Sequence, residues 1–231
     1  MRKKTLRYTI LLISNFLLFL FPLSAQEQPV VEQISAEVKP ALYRGLTLNL
    51  DVYELGSYLL GGDFLSTEVG VEANLKNTFF PVIEVGFGKT DATEDTYNMH
   101  YKSAAPYARI GLNYNTMAKG NSKSYLYVGT RYGFTAVKYD VYGPPMEDGI
   151  WEGSLPFEYY NQKSQAHWLE FLVGIKAHIY KNFQMGWSFR YKFRLSVKEN
   201  PNTVPWYLPG YGKNRSTVIG LTYNLIYTLP K

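Results

Sequence analysis

At 231 residues the chain is long enough for one domain of ordinary size. It has no cysteine, which excludes disulfide staples, thiol catalysis and cysteine metal sites. Of its 24 Lys and Arg residues four lie in a basic N-terminal segment; 24 less 4 leaves 20 against 19 acidic residues, so the nominal +5 shrinks to +1 and gives no case for nucleic-acid binding.

Residues 1–25 read as a secretory signal peptide. Arg2, Lys3, Lys4 and Arg7 form a basic start, Tyr8 to Leu23 an apolar run, and Ser24-Ala25 a small-residue cleavage site. The apolar run is shorter than the roughly 20 residues of a spanning helix. Residues 26–44, with Gln26, Glu27, Pro29, Glu32 and Pro40, carry no period and read as a periplasmic leader. From residue 45 the pattern changes to strict alternation, and residues 45–231 are expected to form the barrel described next.

Eight segments alternate in turn. Leu46, Leu48, Leu50 and Val52 alternate with Thr47, Asn49 and Asp51; Val69, Val71, Ala73 and Leu75 with Glu68, Gly70, Glu72 and Asn74; Ile83, Val85 and Phe87 with Glu84, Gly86 and Gly88. Ala108, Ile110, Leu112 and Tyr114 alternate with Tyr107, Arg109, Gly111 and Asn113. Leu126 to Ala136 alternate with Tyr127, Gly129, Arg131, Gly133 and Thr135. Leu169 to Ile179 alternate with Glu170, Leu172, Gly174, Lys176 and His178. The longest run is 183–197, where Phe183, Met185, Trp187, Phe189, Tyr191, Phe193, Leu195 and Val197 face away from Gln184, Gly186, Ser188, Arg190, Lys192, Arg194 and Ser196. Ile219, Leu221, Tyr223, Leu225 and Tyr227 close the series. Period two places each set on one face of a strand. A strand of this length and polarity suits a bilayer, which needs about 9–11 tilted residues with lipid on one side.

Two features not used to set this parity agree with it. The charges Asp51, Glu68, Glu72, Glu84, Arg109, Arg131, Glu170, Lys176, Arg190, Lys192 and Arg194 share the polar face, with Lys138 the exception at a strand end. A Lys or Arg on the lipid face would cost about 2–4 kcal/mol at the midplane. Gly70, Gly86, Gly88, Gly111, Gly129, Gly133, Gly174, Gly186 and Gly220 share that face too, where they are expected to make room for bulky charged side chains in a narrow interior. The expected links, 54–63, 76–78, 90–103, 116–123, 141–165, 181–182 and 198–214, alternate long and short. That is the arrangement of long extracellular loops and short periplasmic turns. The fold expected is all-β: an eight-stranded antiparallel up-and-down transmembrane β-barrel, integral to the outer membrane.

The signal, the eight strands and the last strand resemble small outer-membrane barrels of the OmpA/OmpX architecture. Ser103 to Pro106, Trp187 to Lys192, Asn200 to Tyr211 and Gly220 to Leu225 resemble a family of uncharacterised small barrels with no assigned activity. The resemblance implies a Gram-negative envelope location and an assembly signal in Gly220, Tyr223, Leu225 and Tyr227, read by the barrel-assembly machinery. It also implies contact with outer-membrane lipid and lipopolysaccharide. Val218 and the ending Leu229-Pro230-Lys231 depart from the terminal pattern.

The charges Glu68, Glu72, Glu84, Arg109, Arg131, Glu170, Lys176, Arg190, Lys192 and Arg194 are expected to pair across the lumen and plug it rather than line a channel. Aromatic loop residues Trp151, Phe157, Tyr159, Trp206, Tyr207 and Tyr211 are candidates for binding an extracellular or envelope protein partner. No catalytic residue, cofactor or metal site is expected. Asp91, Glu94 and Asp95 read as a solvated loop. An alternative role is a lipid-modifying enzyme using Ser164 with His167 or Ser103 with His100; another is a soluble lipocalin-like barrel with the apolar face inward.

Overall fold

Each alternating segment has one apolar and one polar face, and closing the sheet on itself lets the two faces meet different surroundings without leaving an open edge. The computed structural model describes residues 42–59, 64–94, 98–119, 122–148 and 153–230. The strands are β1 (Tyr43–Asp51), β2 (Phe64–Leu75), β3 (Phe79–Glu94), β4 (Met99–Asn115), β5 (Tyr125–Asp148), β6 (Gly153–Tyr180), β7 (Phe183–Val197) and β10 (Thr217–Thr228). They close antiparallel in the order β1-β10-β7-β6-β5-β4-β3-β2. A seven-residue helix α1 (Tyr53–Leu59) and a two-stranded hairpin of β8 (Tyr207–Leu208) with β9 (Gly212–Lys213) lie in two of the links. Among the described residues no helix is long and apolar enough to cross a membrane. The signal segment and most of the leader lie outside the described residues, and β1 starts at Tyr43, two residues before the expected boundary.

The faces fall as the alternation requires. Trp187, Phe189 and Phe171 are 48%, 46% and 54% exposed on the outside, whereas Arg109 and Glu72 are 5% and 1% exposed within. A lipocalin-like barrel has the opposite polarity, so that alternative is overturned. The outward band is apolar from Phe79 to Phe87 on β3, from Tyr114 back to Ala104 on β4, and along most of β7. Short turns close one end: Thr78 N donates to Leu75 O at 3.0 Å while Lys76 and Asn77 take φ of 54° and 59°. That is the paired left-handed geometry of a two-residue hairpin turn, which asparagine tolerates well.

Two expected loops are strand instead. Most of 90–103 continues β3 and β4, which pair up to Glu94↔Met99. Most of 141–165 continues β5 and β6, which pair up to Asp148↔Gly153 with register shifts at Tyr139/Val141 and Gly143/Met146. This hairpin stands well beyond the ends of β1, β2 and β10. The inward glycines are also filled differently from expectation. A Cβ on Gly133 would run into the Trp168 ring, one on Gly86 into the Tyr107 ring, and one on Gly174 would sit 2.6 Å from Tyr127. Aromatic rings use that space as often as charged groups do, which take it at Gly70 (Glu84), Gly111 (Arg131) and Gly220 (Lys192).

Candidate functional site

Strand parity delivers three arginines and three glutamates to the middle of the lumen. Glu84 on β3 meets Arg131 on β5 at 3.0 Å, Arg190 on β7 at 3.1 Å and Arg109 on β4 at 3.4 Å. Glu170 on β6 meets Arg190 at 3.2 Å and Arg109 at 3.3 Å, and accepts from the Trp168 indole at 2.7 Å. Glu68 on β2 meets Arg109 at 2.6 Å and Arg190 at 3.6 Å. All six are buried. Six charges from six strands therefore balance at net zero, with forked guanidinium groups bridging carboxylates that one ammonium could not span. A void of about 20 Å³, lined by Glu68, Glu84, Arg131 and Arg190 together with Glu72 and Lys176, adjoins the cluster and has room for about one water.

The other expected lumen charges sit apart from this cluster. Lys176 pairs with Glu72 one level nearer the short-turn end. Asn113 Nδ2 donates to the same carboxylate at 2.7 Å, and the rings of Phe80, Tyr125 and Tyr127 lie 5.3–5.7 Å from the Lys176 ammonium. The Lys192 ammonium donates to the carbonyls of Gly210 at 2.8 Å and Tyr211 at 3.2 Å, and among the described residues no carboxylate lies within ion-pair distance of it. Arg194 donates to Asn214. For Lys192 and Arg194 the expected salt bridge is corrected to loop recognition. At the short-turn end a cavity of about 760 Å³ opens, lined by Arg44, Lys119, Lys123 and Lys181 with Lys176 at its floor.

The loop following β7 supplies the second seal. Tyr207, Leu208 and Tyr211 are buried inside the barrel mouth. Tyr101 donates to the Tyr207 carbonyl at 2.8 Å, Tyr139 to the Thr203 carbonyl at 3.2 Å, and Asn200 Nδ2 to the Tyr139 hydroxyl at 2.9 Å. Gly210, at φ +78°, brings its backbone against the Tyr107 ring, where a Cβ would lie 2.5 Å away. Only glycine combines that φ with that approach. Burial raises the Tyr207 and Tyr211 phenols above their ordinary values, so both stay protonated. These two residues are therefore internal, which corrects their place among the surface-binding candidates. The loop aromatics signal this packing; nothing in their spacing says that the segment descends into the lumen.

Of the remaining candidates Trp151 lies outside the described residues. Trp206, Phe157 and Tyr159 are half-buried at the mouth opposite the short turns. Phe157 and Trp206, with Met99, Tyr101, Val141 and Val204, line a cleft of about 270 Å³. The cleft lies between the β3–β4 hairpin, the tall β5–β6 hairpin and the plug loop. Gly220 faces inward on β10, and Tyr223 and Tyr227 outward, on the strand that closes the barrel between β7 and β1.

The hydroxyl–imidazole pairs of the alternative enzyme reading do not form. Ser164 faces inward and donates to the Lys198 carbonyl at 2.6 Å, while His167 faces outward beside the Tyr132 hydroxyl at 2.7 Å. Ser103 faces inward and His100 outward, where its ring meets Thr93 at 2.8 Å and Asp91 at 2.9 Å. The sheet separates each suggested serine from its histidine. Among the described residues no group of three or more His, Cys, Asp or Glu side chains is placed to hold a metal.

The family model described as Domain of unknown function (DUF6048) matches residues 5–231. No curated protein matches the chain. Among solved structures, Neisserial surface protein A matches at TM-score 0.45 and 13% identity, over 80% of this chain and 97% of that one. A major outer membrane protein from Thermus thermophilus matches at TM-score 0.47 and 12% identity, over 80% and 98%. Ail, the attachment invasion locus protein of Yersinia pestis, in complex with the heparin analogue sucrose octasulfate, matches at TM-score 0.41 and 10% identity, over 80% and 97%.

Proposed function

The chain belongs to the family described as Domain of unknown function (DUF6048), and from that premise we propose that it is a non-enzymatic, sealed integral barrel of the outer membrane whose outer mouth binds an extracellular or envelope partner. The observation that carries this reading is the pairing of a closed lumen with a built outer end. The ion cluster leaves no path for solute, so the interior serves to hold the wall together. The tall β5–β6 hairpin, backed by the plug loop, frames the Phe157–Trp206 cleft on ordered backbone rather than on loose loops. Apolar and aromatic side chains anchored in that way make good binding anchors.

Assembly through the last strand fits the same picture. Gly220, Tyr223, Leu225 and Tyr227 lie on the strand that pairs both neighbours to close the ring, and we infer that this strand is what the barrel-assembly machinery reads.

The absence of native cysteine makes the test clean. A cysteine at Leu155, 65% exposed near the hairpin tip, is expected to react with a membrane-impermeant maleimide in intact cells. One at Lys123, in a short turn, is expected to react only after lysis. Surface cross-linking is then expected to capture a partner with the parent chain and lose it with Phe157→Ala/Trp206→Ala. Reversed labelling overturns the orientation, and undiminished capture overturns the cleft.

A further inference from the structure

Outside the lumen, one row of side chains stays unexplained by the barrel itself. Lys138 on β5 is the single charge that breaks inward parity in the sequence, and the register sets it directly opposite Lys163 on β6. The ladder continues through Ala104 on β4 to Lys89 on β3. Like charges directly opposed across two strands destabilise a sheet, since Cβ atoms of such a pair lie about 4.5–5.5 Å apart. Among the described residues neither Lys138 nor Lys163 has an ion-pair partner. Two acidic side chains on the same outer face have other partners. Asp140 accepts from Asn161 N at 2.7 Å, and Asp91 holds His100.

A third lysine joins them. Lys198, just past β7, is fixed by its own N–H donating to the Gln165 carbonyl at 2.8 Å and by its carbonyl accepting from Ser164. Lys138, Lys163 and Lys198 line one recess of about 220 Å³, floored by Ala136 and Gln165 and without a carboxylate in its lining. Its height matters. Below it the outward residues turn apolar, with Phe134 on β5 and Leu169 on β6. Four residues from Phe134 to Lys138, at about 3.3 Å each on a strand tilted about 45°, raise the lysines about 9 Å above that point. This is headgroup level rather than hydrocarbon.

We propose that the Lys138–Lys163–Lys198 recess binds a phosphate-bearing headgroup of an outer-leaflet lipid. A phosphate presents three acceptor oxygens to three ammonium donors and removes the repulsion that the bare pair carries. Ala104 leaves the approach from the side of Lys89 open, which suits a headgroup with a second anionic group along the row. This assignment rests on the membrane orientation proposed above.

The test uses the full chain in dodecyl maltoside micelles, with and without bisphosphorylated lipid A, and native mass spectrometry to count retained lipid. The parent chain is expected to retain lipid A, and Lys138→Gln/Lys163→Gln/Lys198→Gln to retain it at least roughly tenfold less. Lys138→Arg/Lys163→Arg is expected to keep it. A second reading changes sign with the surroundings. In lipid-free dodecyl maltoside, Lys163→Gln is expected to raise the thermal midpoint by relieving the pair, and with lipid A present to lower it. Equal retention by the triple variant, or a midpoint change of one sign in both media, overturns the site. Inorganic phosphate that displaces the lipid completely at equal concentration overturns the lipid as its source. A chain that stays in the aqueous phase without detergent overturns membrane insertion, and reversed maleimide labelling overturns the orientation, both failures visible before any lipid is added.

Discussion

Arg190→Leu tests the central claim that the lumen is held by charge balance. Arg190 faces three carboxylates, Glu84 at 3.1 Å, Glu170 at 3.2 Å and Glu68 at 3.6 Å, in a cluster where three arginines offset three glutamates. Removing it leaves net −1 in a void too small to hydrate a carboxylate. Breaking one partner of a buried pair costs about 3–5 kcal/mol. Lys213→Leu is the control: Lys213 is exposed, and its ammonium lies 5.3 Å from the Trp206 ring, a contact that contributes about 0.5–1 kcal/mol at such a site. With a urea dependence of about 1–3 kcal/mol per molar, the two midpoints in detergent micelles should differ by about 1–3 M. The compensating change can be chosen from the geometry. Glu84 is the wrong choice because it is the one carboxylate that Arg131 pairs with. Glu68 is the right one, since its loss leaves Arg109 with Glu170 and Arg131 with Glu84. Arg190→Leu/Glu68→Gln should therefore be more stable than Arg190→Leu alone, by about 1–3 kcal/mol of coupling. Equal midpoints for Arg190→Leu and Lys213→Leu, or a double variant weaker than the single, would refute the charge-balance account.

Three further outcomes follow from the same geometry. Gly133→Ala should lower the urea midpoint by the equivalent of about 1–3 kcal/mol of overpacking, because its Cβ would meet the fully buried Trp168; the loss of the Trp168–Glu170 bond should appear as a changed indole emission. Replacing 203–212 by a Gly-Ser linker should leave planar-bilayer conductance at the baseline, since the ion cluster seals the lumen below the plug; a new open channel would place the seal in the loop alone. Lys176→Met should destabilise more than Lys176→Met/Glu72→Gln, compared by urea titration, because the single change leaves a carboxylate that is 1% exposed without its cation and with only the Asn113 amide as partner.

The parity of the spanning strands is legible in the sequence because lipid and lumen are as unlike as two surroundings can be. Every second residue of 183–197 is apolar or aromatic, and the structure keeps that face outward as far as Leu195; the register shift opposite His167/Trp168 then turns Val197 inward against the buried core and Ser196 outward. The contrast fades where the strands leave the bilayer. On β3 beyond Phe87 the outward residues are Lys89, Asp91 and Thr93, while the inward ones remain buried as Thr90 and Ala92. Water now wets the outside, so polar and apolar no longer sort cleanly and the continuing strand reads as loop. On β5 and β6 two register shifts add a phase break, and Pro144-Pro145 supply turn chemistry inside a strand. The plug is half legible. Its prolines and aromatics distinguish it from a solvated loop, but the carbonyls that hold Lys192 are backbone atoms with no signature in residue type.

Lys138 shows the opposite kind of legibility. It breaks an otherwise strict segregation, and a strand-end position excuses it only if 141–165 is a loop. With β5 continuing to Asp148, the excuse disappears: Lys138 sits within a paired strand and faces a second lysine. An exception inside regular structure needs a cause there, and an anion at the headgroup level is the cause that both lysines share. If lipid A does not reverse the sign of the Lys163→Gln effect, the pair is a cost the barrel carries for no ligand.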